Sequence, residues 1–291
     1  MKASQFKYHA PETVAAAVAL LASHENALIL AGGQSLMPML NLRVAAPDHL
    51  IDLGRISTLR GIADCGSSLC TGAMTTQREV ENSALVARLC PLLAEAVVLV
   101  GHQQTRNRGT IGGSLCHLDP GAELPVVACA LGAELIIAGS KGERRLPFRD
   151  FAKGYLSSNL NGNEILIRIE WRKAPPRTGA AFLEFNRRPA DFAIVSAAVQ
   201  ISLRADGAIE AVSAAFGGIQ PTPLRLGNIE SRLIGVTPNN IPQTFGQTIA
   251  ADIECDGDAL YPPDYRRNLC GTLLQRALHA ACARAERSSD V

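Results

Sequence analysis

The stretch Asn107–Pro125, NRGTIGGSLCHLDPGAELP, holds four glycines, two prolines, one Asp and one Glu in nineteen residues and then runs into an apolar segment. Glycine lets backbone come close to a ligand and adopts conformations that a Cβ forbids. Successive backbone N–H groups in such a turn form a nest for anions. A second glycine loop, Leu30–Pro38 (LAGGQSLMP), closes a short apolar run. Ser35, Thr110 and Ser114 add hydroxyl donors beside the two loops. Many directional donors and few bulky groups suit a diphosphate-bearing cofactor. A plain structural turn is the competing reading of each loop. Neither loop carries a standard nucleotide signature: no Lys follows Gly112 or Gly113 as a P-loop needs, and GGQSLMP lacks the GxGxxG spacing.

The residues around the longer loop leave further alternatives open. Arg106 and Arg108 either face water or offset phosphate charge, and an extended segment would turn only one of them inward. Asp119 and Glu123 are acceptors for a ribose diol or a ring N–H, or else solvated loop carboxylates. His117 stands beside the loop, with a packing or exposed role set against a catalytic one. The six histidines are spread over positions 9, 24, 49, 102, 117 and 279, and no GxSxG, HExxH or Walker lysine is present. A cofactor site without an evident nucleophile fits redox chemistry, in which the cofactor carries the reaction.

Bulk composition excludes other classes. The chain has 291 residues, 47% of them hydrophobic, with 28 Lys plus Arg against 27 Asp plus Glu and a net charge of +1. Such a balance predicts neither a nucleic-acid stripe nor a membrane patch. No run of 18 apolar residues predicts a span, and the opening MKASQFKYHAPET reads as a mature cytosolic N-terminus. Eight cysteines occur without a CxxC, so metal or cluster ligation is not expected and free thiols in a reducing compartment are. Cys116 lies inside the opening stretch and reads as a small residue packed under the loop.

Along the chain, PETVAAAVALLASH (11–24) predicts a helix and ALILAGG (27–33) a short strand ending in glycines. QSLMPMLNLR reads as a helical or irregular turn interrupted by Pro38, and HLIDLGRI as a strand. LCTGAMTTQREVENS predicts a strand and then a short helix from Thr75. Residues 84–107 are mostly helical with Pro91 kinking or starting a helix. ELPVVACALGAELIIAG predicts a helix joined at Gly132 to a strand, GERRLPFRDF a turn and strand pair, and NEILIRIEW an edge-type strand. RKAPPRTG (172–179) is the linker candidate. Beyond it, FAIVSAAVQISLRADGAIEAVSAAFGGI predicts a hairpin about the ADG turn, NNIPQTFGQTIAADIE a helix, and YRRNLCGTLLQRALHAACARAERS a long amphipathic helix suited to covering a sheet.

Taken in order and spacing, these pieces resemble the FAD-binding medium subunits of the molybdenum hydroxylases, the family of carbon monoxide and xanthine dehydrogenases. The resemblance begins with F-x-Y-x-x-P at Phe6, Tyr8 and Pro11. It runs through LAGGQSLMPMLNLR, LIDLGRI, GAMTTQREVENS, QTRNRGTIGGSLCHLDPGAELP, FLEFNRRPADFAIV and FGGIQPTP, covering nearly the whole chain. It implies an α+β protein: a two-part FAD-binding domain of the vanillyl-alcohol-oxidase type over residues 1–175, split about 1–55 and 56–175, then a smaller α+β C-terminal domain over 176–291. It implies that Ala31–Ser35 and Thr110–Ser114 wrap the FAD diphosphate and that Val100 and Gly101 lie near the isoalloxazine. The cofactor-contact set implied on this chain is Leu30, Ala31, Gly32, Gly33, Gln34, Ser35, Leu36, Val100, Gly101, Thr105, Asn107, Gly109, Thr110, Gly112, Gly113, Ser114, His117, Asp119 and Glu123. Three positions depart from the family pattern. Glu123 stands where Asp is usual, one methylene longer, and GHQQTRNRGT differs from G-D-x-Q-V-R-N-R-G-T at His102 and Thr105.

The resemblance further implies partners: a small subunit with two [2Fe–2S] clusters and a large molybdopterin subunit that hydroxylates the substrate, assembled as a dimer of heterotrimers in the cytoplasm. Electrons would pass through FAD to an external acceptor. This chain itself is expected to hold no metal and no catalytic residue for hydroxylation. The alternatives are a stand-alone FAD oxidase of the same broad fold and a cofactor-free scaffold subunit.

Overall fold

The structure, a computed structural model, describes residues 2–288. The chain opens with β1 (Lys7–His9), α1 (Val14–Ser23), β2 (Ala27–Leu30), α2 (Leu36–Asn41) and β3 (His49–Asp52). The three strands form one parallel sheet in the order β1-β3-β2. Thr13 starts α1 by accepting the Ala16 N–H at 3.1 Å, satisfying one of the helix's orphan donors. Ala17, Val18 and Leu21 of α1 then pack on Ile51, Leu53, Ile56 and Leu59. Pro38 does not interrupt α2; it sits in the first turn, where its missing N–H has no intrahelical acceptor to lose.

A second sheet has the order β4-β5-β10-β6-β7, built from β4 (Ile62–Asp64), β5 (Ser68–Gly72), β6 (Glu134–Gly139), β7 (Gly142–Pro147) and β10 (Ile165–Arg172). Between β5 and β6 the chain winds through α3 (Gln77–Glu81), α4 (Ala84–Leu89), α5 (Pro91–Val97), α6 (Gln103–Arg108), α7 (Ile111–His117) and α8 (Glu123–Leu131). Thr76 and Glu79 close a reciprocal capping box on α3, and Pro91 starts α5 rather than kinking a longer helix. After β7 come a single turn, α9 (Phe148–Phe151), and the small hairpin β8 (Ala152–Gly154) and β9 (Ser157–Ser158). GERRLP forms a strand, β7, and the FRDF that follows is a helix: Phe148 and Phe151, three apart, both turn into the core.

Two expectations fail here for identifiable reasons. NEILIRIEW is not an edge strand: β10 lies in the middle of the sheet, paired with both β5 and β6. Both its faces carry buried residues: Ile165 and Ile167 pack with the α1 core, Leu166, Ile169 and Trp171 with the other, and Glu170 meets Arg145 at 2.6 Å and Arg168 at 3.3 Å. Cys65 and Cys70 are joined as a disulfide, Cα atoms 6.0 Å apart, because the β4–β5 hairpin folds one back over the other; the other six cysteines are free thiols.

The segment after β10 leads to a four-stranded antiparallel sheet, β11 (Thr178–Phe185), β12 (Val195–Leu203), β13 (Ile209–Gly217) and β14 (Leu224–Arg225). α10 (Gly227–Leu233), α11 (Phe245–Ala251) and the 25-residue α12 (Pro263–Arg287) complete the chain. Every residue of β12 is buried because both faces are covered. Val195, Ala197, Val199 and Ile201 face a core shared with α12, whereas Ala198 and Ala215 join Ala180 and Phe182 against α5 and α8. The C-terminal sheet is thus packed onto α5 and α8, the helices before and after the longer glycine loop. Arg225 reinforces this seam by donating to the Cys129 carbonyl at 2.9 Å, at the end of α8.

Candidate cofactor site

The two glycine loops, far apart in sequence, meet in space. Gly32 follows β2, and a Cβ there would strike the Arg108 carbonyl oxygen and lie 2.8 Å from Gly109 Cα. Gly113 faces the first loop: its Cβ would come 3.4 Å from Ala31 and 2.7 Å from Thr110 Oγ1. At Gly32 the close approach of the two loops excludes any side chain, whereas at Gly113 the obstacle is Thr110 of its own loop, with Ala31 in ordinary contact. A cleft of about 520 Å³ opens where they meet, lined by Leu30, Ala31, Gly32, Gly33, Gln34 and Arg108, with Met37, Asn41 and Asp52 completing the wall.

The donors divide unevenly between the loops. Among the described residues, the backbone N–H groups of Gly32, Gly33 and Gln34 meet no protein acceptor. Gly33 is held at φ +74°, a value that favours glycine. The Gln34 side chain donates to the Gly32 carbonyl at 3.1 Å, and Ser35 opens α2 without a side-chain cap bond. Leu36 is the first residue of α2 and half-buried. In the second loop most of the donors are already spent. Ile111 donates to Thr75, Gly112 to Ala73 at 2.8 Å, Gly113 to Thr110 Oγ1 at 3.1 Å and Ser114 to Thr110. The backbone nest read from TIGGS therefore belongs to the first loop. Gly112 is buried with a Cβ position 2.6 Å from that of Ala73, so its lack of a side chain serves packing against the end of β5 and not open space at a ligand.

Arg106 and Arg108 lie on a helix, so the alternation expected of an extended segment does not apply. Arg106 turns inward. Nε and Nη2 bind Glu81 at 2.9 and 3.1 Å, and Nη1 donates to the carbonyls of Val100 and Gly101 at 3.1 and 2.9 Å. This pair holds the 100–101 turn in place, and the Arg106 guanidinium holds the Glu81 carboxyl below its usual range. Gly101 takes φ +48°, with Thr105 packed over it. Arg108 instead lines the cleft and brings a cation to its mouth. Asn107 is exposed. Gly109 is buried against Gln77, whose Oε1 is buried without a partner.

The remaining acidic residues gather at the seam with the C-terminal sheet. Asp119 is used locally, accepting the Gly121 N–H at 2.9 Å. His117 ends α7, half-buried. Glu123 begins α8 and is 4% exposed; desolvation, with help from Glu184 and Asp119, pushes its pKa up to about 8. Glu184 on β11 is pushed up to about 7 by desolvation. One of its oxygens accepts from Asn186 at 2.9 Å and the other is buried without a partner. At neutral pH Glu123 is a protonated acid, able to donate as well as accept. Sequence reading missed Asp52, Gln77 and Glu184. Only Glu184 left a trace, as a charge interrupting an otherwise apolar strand pattern (AAFLEF).

A cofactor with a diphosphate and a flat ring fits these features. Unused N–H donors and a cation stand at the cleft, glycines clear backbone around it, and buried acceptors lacking donors lie farther along. Family comparison agrees. The profile described as FAD binding domain in molybdopterin dehydrogenase matches residues 4–171, and the CO dehydrogenase flavoprotein C-terminal domain matches residues 180–281. The chain is 37% identical over 282 residues to the carbon monoxide dehydrogenase medium chain of Hydrogenophaga pseudoflava, covering 96% of this chain and 98% of that one. It is 34% identical to the 6-hydroxypseudooxynicotine dehydrogenase complex subunit alpha of Paenarthrobacter nicotinovorans, covering 100% and 99%. A solved structure of the H. pseudoflava carbon monoxide dehydrogenase, in a form lacking the Mo-pyranopterin moiety, superposes with a TM-score of 0.92 at 37% identity over 98% of this chain and 99% of that chain. With both family profiles matched in order and relatives aligned end to end, the chain belongs to the FAD-binding medium subunits of the molybdenum hydroxylase family, flavoprotein components of oxidoreductase complexes.

Proposed function

We propose that this chain is the electron-transfer flavoprotein of a molybdenum hydroxylase, taking electrons from the [2Fe–2S] clusters of a small partner subunit and passing them to an external acceptor. The observation that carries the reading is the meeting of Gly32 with Arg108–Gly109 and of Gly113 with Ala31, beside three unused backbone donors. Substrate hydroxylation belongs to a large molybdopterin subunit, and the assembly is a cytoplasmic dimer of such heterotrimers. No helix among the described residues is long and apolar enough to cross a membrane. The FAD-binding unit comprises residues 1–175, in parts 1–55 and 56–175, and residues 176–291 form the C-terminal domain.

Within that reading, the N–H groups of Gly32, Gly33 and Gln34 bind the FAD diphosphate, and Arg108 offsets its charge. Thr110, Gly109 and Gly112 shape the second wall from behind. Asp52, which already accepts from Tyr8 Oη at 2.5 Å and from the Gly54 N–H at 2.7 Å, marks the first sheet's side of the cleft. The turn at Val100–Gly101, clamped by Arg106, orients the ring end, and Glu123 holds a proton there at neutral pH. When bound, FAD supplies the exchange between single-electron and two-electron carriers. The protein contributes position, a water-poor seam and a neutral acid.

The test is the visible spectrum of the purified chain, followed by chromatography of the released cofactor and reduction by an iron–sulfur partner subunit. Flavin bands near ~375 and ~450 nm, about one FAD per chain and flavin bleaching on addition of the reduced partner are expected of a bound flavin. A colourless chain that also refuses added FAD would overturn the cofactor assignment. A yellow chain indifferent to the reduced partner would overturn the electron path.

A further inference from the structure

Half of the histidines in this chain converge at one place. His9 ends β1, His24 follows the last residue of α1, and His49 begins β3. One nitrogen from each ring lies within 4.8 Å of the others. His9 Nε2 and His49 Nδ1 share a hydrogen bond of 2.9 Å. The His24 and His49 rings stack with centroids 3.9 Å apart and planes 7° off parallel, and His9 lies 5.1 and 5.2 Å from the two. All three are half-buried, so water reaches the cluster.

We propose that His9, His24 and His49 form a three-imidazole site for a borderline divalent transition-metal ion, with Zn2+ the representative and water the fourth ligand. Two nitrogens bound to one tetrahedral Zn2+ at about 2.0–2.1 Å stand about 3.3 Å apart, which falls between the shortest separation in the cluster and its outer limit. Imidazole nitrogen also suits Cu2+ and Ni2+, so the donor set defines a class of ion and not one element. Coordination asks for two local changes. The stacked rings must rotate about χ2 until their lone pairs converge. Of the hydrogen-bonded pair, the ring now donating must move its proton to its other nitrogen. No proton need leave the protein, because each neutral imidazole keeps one N–H.

His49 is held below its ordinary pKa by desolvation first and then by His24, His9 and Lys7, with Asp48 acting the other way. The site is separate from the cofactor cleft. The strands are parallel, and residues at the far ends of β2 and β3, Leu30 and Asp52, line the cleft. The length of β3, four residues, puts about 10 Å between His49 and Asp52, and His9, in register with Ile51, stands on the sheet face opposite to Asp52. An ion here would clasp β1, α1 and β3, three elements of the small sheet unit, and so stiffen the sheet that carries the first glycine loop.

The experiment uses the full-length, flavin-loaded chain carrying no polyhistidine tag. Metal is stripped by a chelator, the protein is dialysed against Zn2+ alone, and zinc per chain is counted by elemental analysis. About one zinc per chain is expected, with affinity lowered at least about tenfold in His9→Gln and in His24→Gln and unchanged in His279→Gln. Zn2+ should raise the melting temperature of the parent and not of the two site variants. Undiminished zinc binding by both site variants, or no zinc above background in the parent at a tenfold excess, overturns the proposal. Should a variant lose its flavin and fold, X-ray absorption at the zinc edge of the loaded parent decides. A nitrogen and oxygen shell with imidazole scattering supports the site, and a sulfur shell at about 2.3 Å refutes it.

Discussion

Replacing Glu123 with glutamine tests whether the seam between the glycine loop and the C-terminal sheet really holds a neutral acid. Glu123 is 4% exposed, and its pKa is pushed from about 4.5 to about 8 by desolvation, then by Glu184 and Asp119. Between those two values the native chain keeps a proton that the unfolded chain has released. The unfolded state therefore binds fewer protons, and unfolding free energy falls as pH rises through this window. One such group contributes a slope of at most about 1.4 kcal/mol per pH unit, and a ceiling of about 4–5 kcal/mol across the window. Below about pH 4.5 the group is neutral in both states and contributes no slope. Glu184, raised to about 7, adds a second contribution of the same sign. In urea unfolding of the flavin-free chain followed by circular dichroism from pH 5 to 9, the parent should lose stability with rising pH. A glutamine at this position keeps the shape and cannot ionise. The Glu123→Gln variant should therefore show a slope reduced by about 1 kcal/mol per pH unit and should gain on the parent progressively up to about pH 8, with no further gain above it. Parallel profiles for parent and variant would refute the buried acid and the closed seam that creates it.

Gly32→Val should cost the chain its flavin, because the new side chain would meet the Arg108 carbonyl and Gly109 where the two loops touch. Flavin content after purification reads this out, and retention at the parental level would refute the close approach. Arg106→Met leaves the half-buried Glu81 with only Arg78, at 3.0 Å, and frees the Val100 and Gly101 carbonyls. A loss of about 2–4 kcal/mol and faster flavin release are expected, measured by urea unfolding and by fluorescence of released flavin. An unchanged release rate would show that the 100–101 turn does not depend on this clamp.

Much of the fold was legible because it rests on local physics. Thr13 and Thr76 cap their helices, Pro91 opens one, Gly132 ends another in the left-handed region, and the ADG turn closes the β12–β13 hairpin; each acts on its immediate neighbours. The two glycine loops were equally visible as loops. Their division of labour was not. The same glycine-rich spelling describes both Gly32, whose N–H is unused, and Gly112, whose N–H is bonded to Ala73. Which donors are spent depends on what packs behind the loop. β10 shows the same limit: its alternation of apolar and polar residues reads alike in a central and in an edge strand, and only pairing with β5 and β6 tells the two apart.

The sequence by itself determined most element types and the family, since these follow from short-range periodicity, capping and the order of motifs. Tertiary structure alone decided the chemistry of the charged and titratable groups. Glu123 became a neutral acid because a sheet formed much later in the chain packs over its helix. Arg106 and Arg108 were assigned opposite tasks by the helix that carries them. His9, His24 and His49, separated by turns, two helices and a strand, became one cluster because a parallel sheet and its covering helix bring them together. Electrostatic and coordination chemistry depend on distance through space and on exclusion of water, and neither quantity is written in sequence spacing.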